Sequence, residues 1–455
     1  MIQFRRADGR ARGRSAESLL ALGFLAVILV GTVLLELPVS AKNGQSIGLF
    51  DSLFTATSAV CVTGLVAVDT GTTFSPFGQA VLIALIQVGG LGFMVFATMI
   101  MVMLGRKISL RGRMLIRESM NGASLADLSG VARLYLLLAL GIELIGAALL
   151  SVRFVPLYGL RRGLWMAVFH AVSAFCNAGF DLFGGFSSVT GFSRDPLALL
   201  TIAALIVLGG LGFSVILEAL RNRQGLKGLS LHARIVLMLT PLLLLLGTGF
   251  YLLAESNDAG TLAGFNAGEK ALNAFFQSVT MRTAGFNSID LSRMSDGSKL
   301  FSCLLMMIGA SPASTGGGMK TTTVAVFALL MLSVVKGESE VNVARRRLSD
   351  ALTRRALAVV ALYITTLLVG TLAISLIEGG RFALSDVLFE ASSAMGTVGV
   401  SAIGTPNLAP ASRLVLLPMM FLGRIGPLTL AIAVAKRQGS ARKISKYPEE
   451  KIMIG

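Results

Sequence analysis

Apolar residues along the 455-residue chain gather into long blocks instead of alternating with polar ones. Eight of these blocks are long enough to cross a hydrocarbon layer of ~30 Å as helices: Leu19–Leu37, Gln79–Leu104, Val131–Val152, Leu197–Leu220, Ile235–Ala254, Leu300–Val335, Ala356–Ile377 and Leu414–Ala435. The sixth is too long for one plain helix and is interrupted by Gly309-Ala-Ser-Pro-Ala-Ser-Thr-Gly-Gly-Gly318, which cannot continue as regular helix. After each odd-numbered block comes a shorter apolar piece: Phe50–Cys61, Leu164–Cys176, Ala271–Met281 and Ser385–Met395. None of these is long enough to span, and each runs into an irregular stretch containing glycine. Non-helical backbone at membrane depth is tolerated only where it is buried in protein or lines a water-filled cavity. The pattern therefore predicts an all-α polytopic membrane protein with four re-entrant half-helices.

The units repeat. Aligned on Gly64, Gly179, Gly285 and Gly399, the short segments carry Phe54, Phe169, Phe275 and Phe389 at one fixed offset. Ser58-Ala59, Ser173-Ala174, Val279-Thr280 and Ser393-Ala394 share another. The following span repeats too: Gly89-Gly-Leu-Gly-Phe93 is identical to Gly209-Gly-Leu-Gly-Phe213, and Gly309-Ala-Ser-Pro-Ala313 and Gly423-Arg-Ile-Gly-Pro427 fall in the same place. The expected organisation is a basic N-terminus (1–18), repeats over 19–117, 118–230, 231–350 and 351–435, an intramembrane loop at 309–320, and a C-terminal tail (436–455). Four tandem span–half-helix–span repeats, with eight transmembrane helices, are expected to surround a pseudo-fourfold pore.

Composition agrees with the pattern: 54% of residues are hydrophobic and 14% charged, and mean hydropathy is +0.77. A soluble chain has roughly 25% charged residues, so two or three soluble domains are excluded. Two histidines leave no material for a His-rich metal site, and three cysteines in apolar stretches read as buried thiols. The net charge of +16 is a matter of position. With the N-terminus inside, 27 of the 40 Lys and Arg lie on the cytoplasmic side and 10 outside, while Arg282, Lys320 and Arg424 sit within apolar segments. The positive-inside rule then places both termini in the cytoplasm. The excess charge reports topology and attraction to anionic lipids, not nucleic acid. No small-residue cleavage site follows Leu37-Pro38, so the first block reads as a retained span.

The loops read Val62-Thr63-Gly64, Asn177-Ala178-Gly179, Thr283-Ala284-Gly285 and Thr397-Val398-Gly399. They offer almost no side-chain ligand, so binding there rests on backbone carbonyls, which glycine allows to be aimed freely. Carbonyls around one axis can replace the hydration shell of a large monovalent cation. Calcium or magnesium would call for carboxylates, and none is present in the loops. The alternative is that the glycines only permit close helix packing. Arg424 shares a column with Gly90 and Gly210; it faces either the pore, opposing cation passage, or a brace through Glu143 or Glu218. The loop Gly309–Gly318 folds into the same cavity as a movable plug, with Gly316, Gly317 and Gly318 as its flexible part. Glu390, Arg282 and His170 read as braces behind the loops, with a Glu390–Arg282 salt bridge left open. Gly318-Met-Lys-Thr321 lacks the order of a phosphate-binding loop and follows no strand.

Four such repeats in one chain, the single loop glycines, the broken second span of repeat three and Arg424 in the last span resemble the Trk/Ktr/HKT superfamily of potassium transporters. The shorter, KtrB-type ion-translocating subunit fits best, because the chain starts directly with repeat one. The resemblance implies that Gly64, Gly179, Gly285 and Gly399 form the selectivity filter. Carbonyls of the two residues before each glycine would bind potassium, the substrate. It implies a gate made of Gly309, Gly316–Gly318, Lys320 and Arg424, a homodimer, and control by a cytoplasmic nucleotide-binding ring of the KtrA type. No cofactor belongs to this chain itself, the location is the cell (inner) membrane, and no enzymatic activity is expected. The competing reading is a sodium- or proton-coupled secondary potassium transporter. An intramembrane enzyme would need a catalytic pair at pore depth, and Asp181 and Asp195 lie outside the apolar core.

Overall fold

A computed structural model describes residues 16–92, 128–222, 225–338, 340–343 and 346–429. The basic stretches Arg5–Arg14, Arg106–Arg117 and Lys436–Lys451, and with them the second half of the span expected at Gln79–Leu104, lie outside the described residues.

Four long helices begin the four repeats: α1 (Ala16–Glu36), α4 (Leu128–Tyr158), α8 (Leu231–Glu255) and α12 (Asp350–Glu378). They are the four single helices among the described residues that are long and apolar enough to cross a membrane. Leu144, Leu245 and Leu376 on these helices are more than two-thirds exposed, a cost in water that disappears in hydrocarbon. The chain is therefore a multi-pass membrane protein. A half-helix follows each long helix: α2 (Leu49–Val60), α5 (Leu160–Phe175), α9 (Ala267–Thr280) and α13 (Leu384–Gly396). The third opens on a capping box between Asn266 and Glu269.

In repeats one, two and four the second helix departs from the expected through-running span. The helices α3 (Pro76–Leu91), α6 (Pro196–Leu211) and α14 (Pro410–Ile425) stop at Gly92, Gly212 and Gly426, whose φ values are +85°, +92° and +92°. An α-helix cannot pass through a positive φ, so the chain turns although the hydropathy does not change. In repeat two, α6 and the next helix α7 (Phe213–Arg221) are bent by 95°. In repeat three, α10 (Asp296–Met307) and α11 (Thr321–Val335) flank the irregular loop expected there. A short antiparallel ladder, β1 (Asn342–Val343) with β2 (Arg346–Arg347), precedes α12.

The packing is cyclic. The second helix of each repeat lies against the half-helix of the next: α3 on α5, α6 on α9, α10 on α13, and α14 back on α2. Within repeats one, two and four, small residues bring the second helix close to its own half-helix. A Cβ placed on Gly89, Gly209 or Gly423 would collide with the carbonyl oxygen of Val60, Phe175 or Met395, near the C-terminal end of the half-helix of its own repeat. Phe54, Phe169 and Phe389 are fully buried, whereas in repeat three Phe276 takes the buried place and Phe275 is half-buried.

Polar links tie neighbouring repeats where the half-helices begin. Phe186 N–H donates to Asp69 (2.8 Å), and Asn273 Nδ2 donates to the Ser193 carbonyl (2.8 Å). Lys299 pairs with Asp386 (2.6 Å), and Arg413 with Asp51 (2.9 Å). Every junction of the ring thus has a polar tie.

Candidate functional site

Each half-helix ends three to five residues before its loop glycine. In repeats one, two and four the end is a Schellman motif: Thr63, Ala178 and Val398 N–H donate to the Ser58, Ser173 and Ser393 carbonyls at 2.7–2.8 Å. The residue in the left-handed position of this motif is Val62, Asn177 or Thr397, with φ of 55°, 58° and 51°. In repeat three Val279 replaces that serine and the closing bond shifts, with Ala284 N–H donating to the Thr280 carbonyl (3.0 Å), while Thr283 still has φ 72°. Asparagine tolerates this region, but for the β-branched Val62, Thr283 and Thr397 it stores strain of about 1–3 kcal/mol each. The loop glycines also have positive φ, from 69° at Gly179 to 97° at Gly399. Four loops share one strained backbone course.

These loops meet in a closed circuit. A Cβ on Gly64 would strike the carbonyl oxygen of Ala178, one on Gly179 would lie 2.9 Å from that of Ala284, one on Gly285 2.6 Å from that of Val398, and one on Gly399 would strike that of Thr63. Each glycine therefore faces the carbonyl just before the glycine of the next repeat. The packing reading and the carbonyl reading describe the same contacts: the missing Cβ is the room in which the neighbouring carbonyl stands. All eight residues preceding the glycines are fully buried. Thr63 and Thr397 hold buried hydroxyl oxygens without a hydrogen-bond partner.

Side chains of the half-helices fix the loops from behind. Ser58 and Ser393 Oγ accept from the N–H of Gly64 and Gly399, both at 3.0 Å, and Ser173 Oγ donates to the Phe180 carbonyl at 2.8 Å. In repeat three Thr280 Oγ1 donates to the Phe286 carbonyl at 2.5 Å instead. Glu390 accepts from Ser401 and Thr405, each at 2.6 Å. His170 Nε2 accepts from Leu182 N–H at 3.3 Å. Both hold the segment that follows the loop glycine, so one column supplies the brace in repeats two and four. The Glu390–Arg282 salt bridge is not formed: Arg282 reaches the Gly309 carbonyl (3.5 Å) while Glu390 is saturated by hydroxyls.

The loop between α10 and α11 lies directly against the circuit. A Cβ on Gly316 would strike Thr283 Oγ1 and one on Gly317 would strike Thr397 Oγ1, while one on Gly318 would sit 3.3 Å from the Gly396 carbonyl. The three glycines are thus required by close approach to the loops as well as by bending. Ser311 and Thr315 N–H donate to the Gly210 and Gly209 carbonyls at 3.0 and 3.1 Å, and Lys320 Nζ closes onto the Gly316 carbonyl at 2.6 Å.

Arg424 joins three repeats. Its guanidinium donates to the Thr315 carbonyl on the loop and to the Gly89 and Gly90 carbonyls of repeat one, the last at 3.1 Å. The expected alternative brace through a carboxylate is absent among the described residues: Glu143 is bonded by Gln87 (3.0 Å) and Glu218 by Ser230 (2.8 Å). Gly309 takes part through close approach, since a Cβ there would strike the Gly317 carbonyl. Sequence reasoning missed the helix breaks at Gly92, Gly212 and Gly426, though their common place, three residues after Gly89, Gly209 and Gly423, was there to be read.

A membrane protein whose repeats converge to bring backbone oxygens together, with an arginine-held loop against them, has the makings of an ion-translocating protein. The chain matches the family described as "TrkH: Cation transport protein" over residues 20–446. It is 40% identical over 436 residues to the Ktr system potassium uptake protein B of Bacillus subtilis (strain 168), covering 96% of each chain. It is 38% identical to the potassium/sodium uptake protein NtpJ of Enterococcus hirae, covering 98% of this chain and 99% of that one. Its fold matches the crystal structure of the potassium transporter TrkH from Vibrio parahaemolyticus with a TM-score of 0.71 at 17% identity, covering 94% of this chain and 86% of that one. The chain belongs to the TrkH cation transport family.

Proposed function

We propose that the chain is the potassium-translocating, channel-like subunit of an uptake system. The observation that carries this reading is the closed circuit in which Gly64, Gly179, Gly285 and Gly399 each face a carbonyl of the next repeat. Four buried backbone segments of one course, with nearly no charged side chain, suit a cation that exchanges water for carbonyl oxygens. The carbonyls of Val62, Thr63, Asn177, Ala178, Thr283, Ala284, Thr397 and Val398 are the proposed potassium ligands, and the orphaned hydroxyls of Thr63 and Thr397 add electron-rich oxygen nearby. Half-helix C-termini at the circuit contribute roughly half a negative charge each. Potassium then passes down a pseudo-fourfold pore bounded by four span–half-helix–span repeats.

In this reading the Gly309–Lys320 loop is the gate and Arg424 its latch. The latch works by geometry, fixing Thr315 to repeat one, and by its positive charge, which opposes a cation. Both termini lie in the cytoplasm, the chain pairs as a homodimer in the cell membrane, and a cytoplasmic nucleotide-binding ring releases the loop. Names of the relatives, which speak of a Ktr system and of potassium uptake, support the substrate and the idea of a partner. A sodium-coupled carrier is the second reading, favoured by the relative named for potassium and sodium together. Rubidium influx into proteoliposomes with and without sodium separates them. Influx that follows the rubidium gradient alone supports the channel reading. Influx that requires a sodium or proton gradient supports coupling and removes it.

A further inference from the structure

On the side where the half-helices begin, a groove of about 980 Å³ lies between repeats one and two, lined by Lys42, Arg161, Arg162, Leu164, Trp165 and Val168 among others. Its two ends differ in chemistry. Arg161, Leu164, Trp165 and Val168 follow one another at helical spacing along one face of α5, so cationic groups stand at the rim and apolar ones below. Leu164 and Val168 are 45% and 41% exposed, so among the described residues of the single chain that face is left open. The wall is held firmly: Trp165 Nε1 donates to Gln79 Oε1 (2.8 Å), and Gln79 Nε2 donates to the Phe74 carbonyl (3.1 Å).

The rim carries unspent positive charge. Lys42 Nζ makes one bond, to the Gly71 carbonyl (2.5 Å). The Arg162 guanidinium lies 5.5 Å from the centre of the Tyr158 ring, and the exposed Arg161 has no hydrogen bond or ion pair among the described residues. No carboxylate lines the groove among the described residues. Helix α5 starts at Gly159 without a side-chain cap, leaving first-turn N–H groups at the same rim. Three cations line this groove, on the side to which the positive-inside reading assigns only 10 of the 40 Lys and Arg. A tryptophan beside them suits the interfacial depth of a bilayer.

We propose that this groove holds one anionic phospholipid, its phosphate against Lys42, Arg161 and Arg162 and an acyl chain along Leu164 and Val168. The lipid would join repeat one to repeat two beside a close backbone contact, where a Cβ on Gly71 would stand 2.6 Å from the Leu182 carbonyl. Nothing in this assignment depends on which ion the protein conducts. The test is native mass spectrometry of the purified full-length chain, titrated separately with phosphatidylglycerol and phosphatidylcholine. Phosphatidylglycerol should bind more tightly, and the Arg161→Gln/Arg162→Gln double variant should weaken it about thirtyfold, as follows from the loss of two surface charges near a lipid phosphate. Binding of phosphatidylcholine should not change, and Arg346→Gln/Arg347→Gln on the opposite side should leave the tight phosphatidylglycerol site intact. Should the double variant fail to fold, Arg161→Gln alone, at an exposed and unpartnered residue, should cost about fivefold. Equal affinity for the two lipids, undiminished phosphatidylglycerol binding in the arginine variants, or displacement of the lipid by inorganic phosphate would each overturn the assignment.

Discussion

Arg424→Ala removes the group that latches the loop of repeat three to repeat one. Of the three carbonyls it serves, that of Thr315 belongs to the loop, while those of Gly89 and Gly90 anchor the arginine itself. One hydrogen bond from a charged donor to the loop contributes roughly 1.5–3 kcal/mol. The other tethers survive the substitution: Thr315 N–H to Gly209, Ser311 N–H to Gly210, and Thr315 Oγ1 to the Phe175 carbonyl at 2.9 Å. The loop equilibrium should therefore move toward the open arrangement by about 10- to 150-fold without loss of the fold. Rubidium influx into proteoliposomes without any partner subunit measures this directly, and the variant should exceed the parent until the pore is saturated. Arg424→Lys keeps the charge but lacks the planar fork that reaches the loop and repeat one at once, so its influx should fall between the two. A folded Arg424→Ala protein that passes no more rubidium than the parent refutes the latch.

Other substitutions probe the circuit and its supports. Gly64→Ser forces a side chain into φ 91° and onto the Ala178 carbonyl, so rubidium-over-sodium discrimination should fall; unchanged discrimination in competition uptake would count against Gly64 in the filter. Gly317→Ala drives a methyl group into Thr397 Oγ1, which should loosen the loop, raise basal influx and lower thermal stability by about 1–3 kcal/mol; a melt and an influx like the parent's would show that the close approach is not needed. Ser58→Ala leaves the buried Gly64 N–H without an acceptor at a cost of about 1–3 kcal/mol. Selectivity should suffer more than folding yield, and the reverse order would mark the hydroxyl as a folding contact alone. Asp386→Asn breaks the pair with the buried Lys299, lowering the melting temperature, and Lys299→Met/Asp386→Leu should recover part of the loss, because the single change strands a buried charge. A double variant less stable than the single one would refute this account.

The sequence by itself determined the repeat. Apolar blocks, half-length segments and one phenylalanine-to-glycine spacing are local, additive features, and they survive in any arrangement that keeps backbone polar groups away from lipid. The same arithmetic picked out Gly64, Gly179, Gly285 and Gly399, the loop after α10 and Arg424 in the last apolar block. Tertiary structure decided who meets whom. Hydropathy is blind to the sign of φ, so α3, α6 and α14 read as continuous although Gly92, Gly212 and Gly426 turn the chain. A run of three glycines reads as flexibility until Thr283 and Thr397 are seen to occupy the room their side chains would need. Opposite charges in or beside the short segments likewise left a pairing of Glu390 with Arg282 open, yet the carboxylate closes on Ser401 and Thr405 of its own repeat. The physical reason is that spacing along a chain fixes which face a group lies on, whereas a hydrogen bond or a close approach depends on a few tenths of an ångström between segments more than a hundred residues apart, as between Arg424 and Thr315 or Gly89.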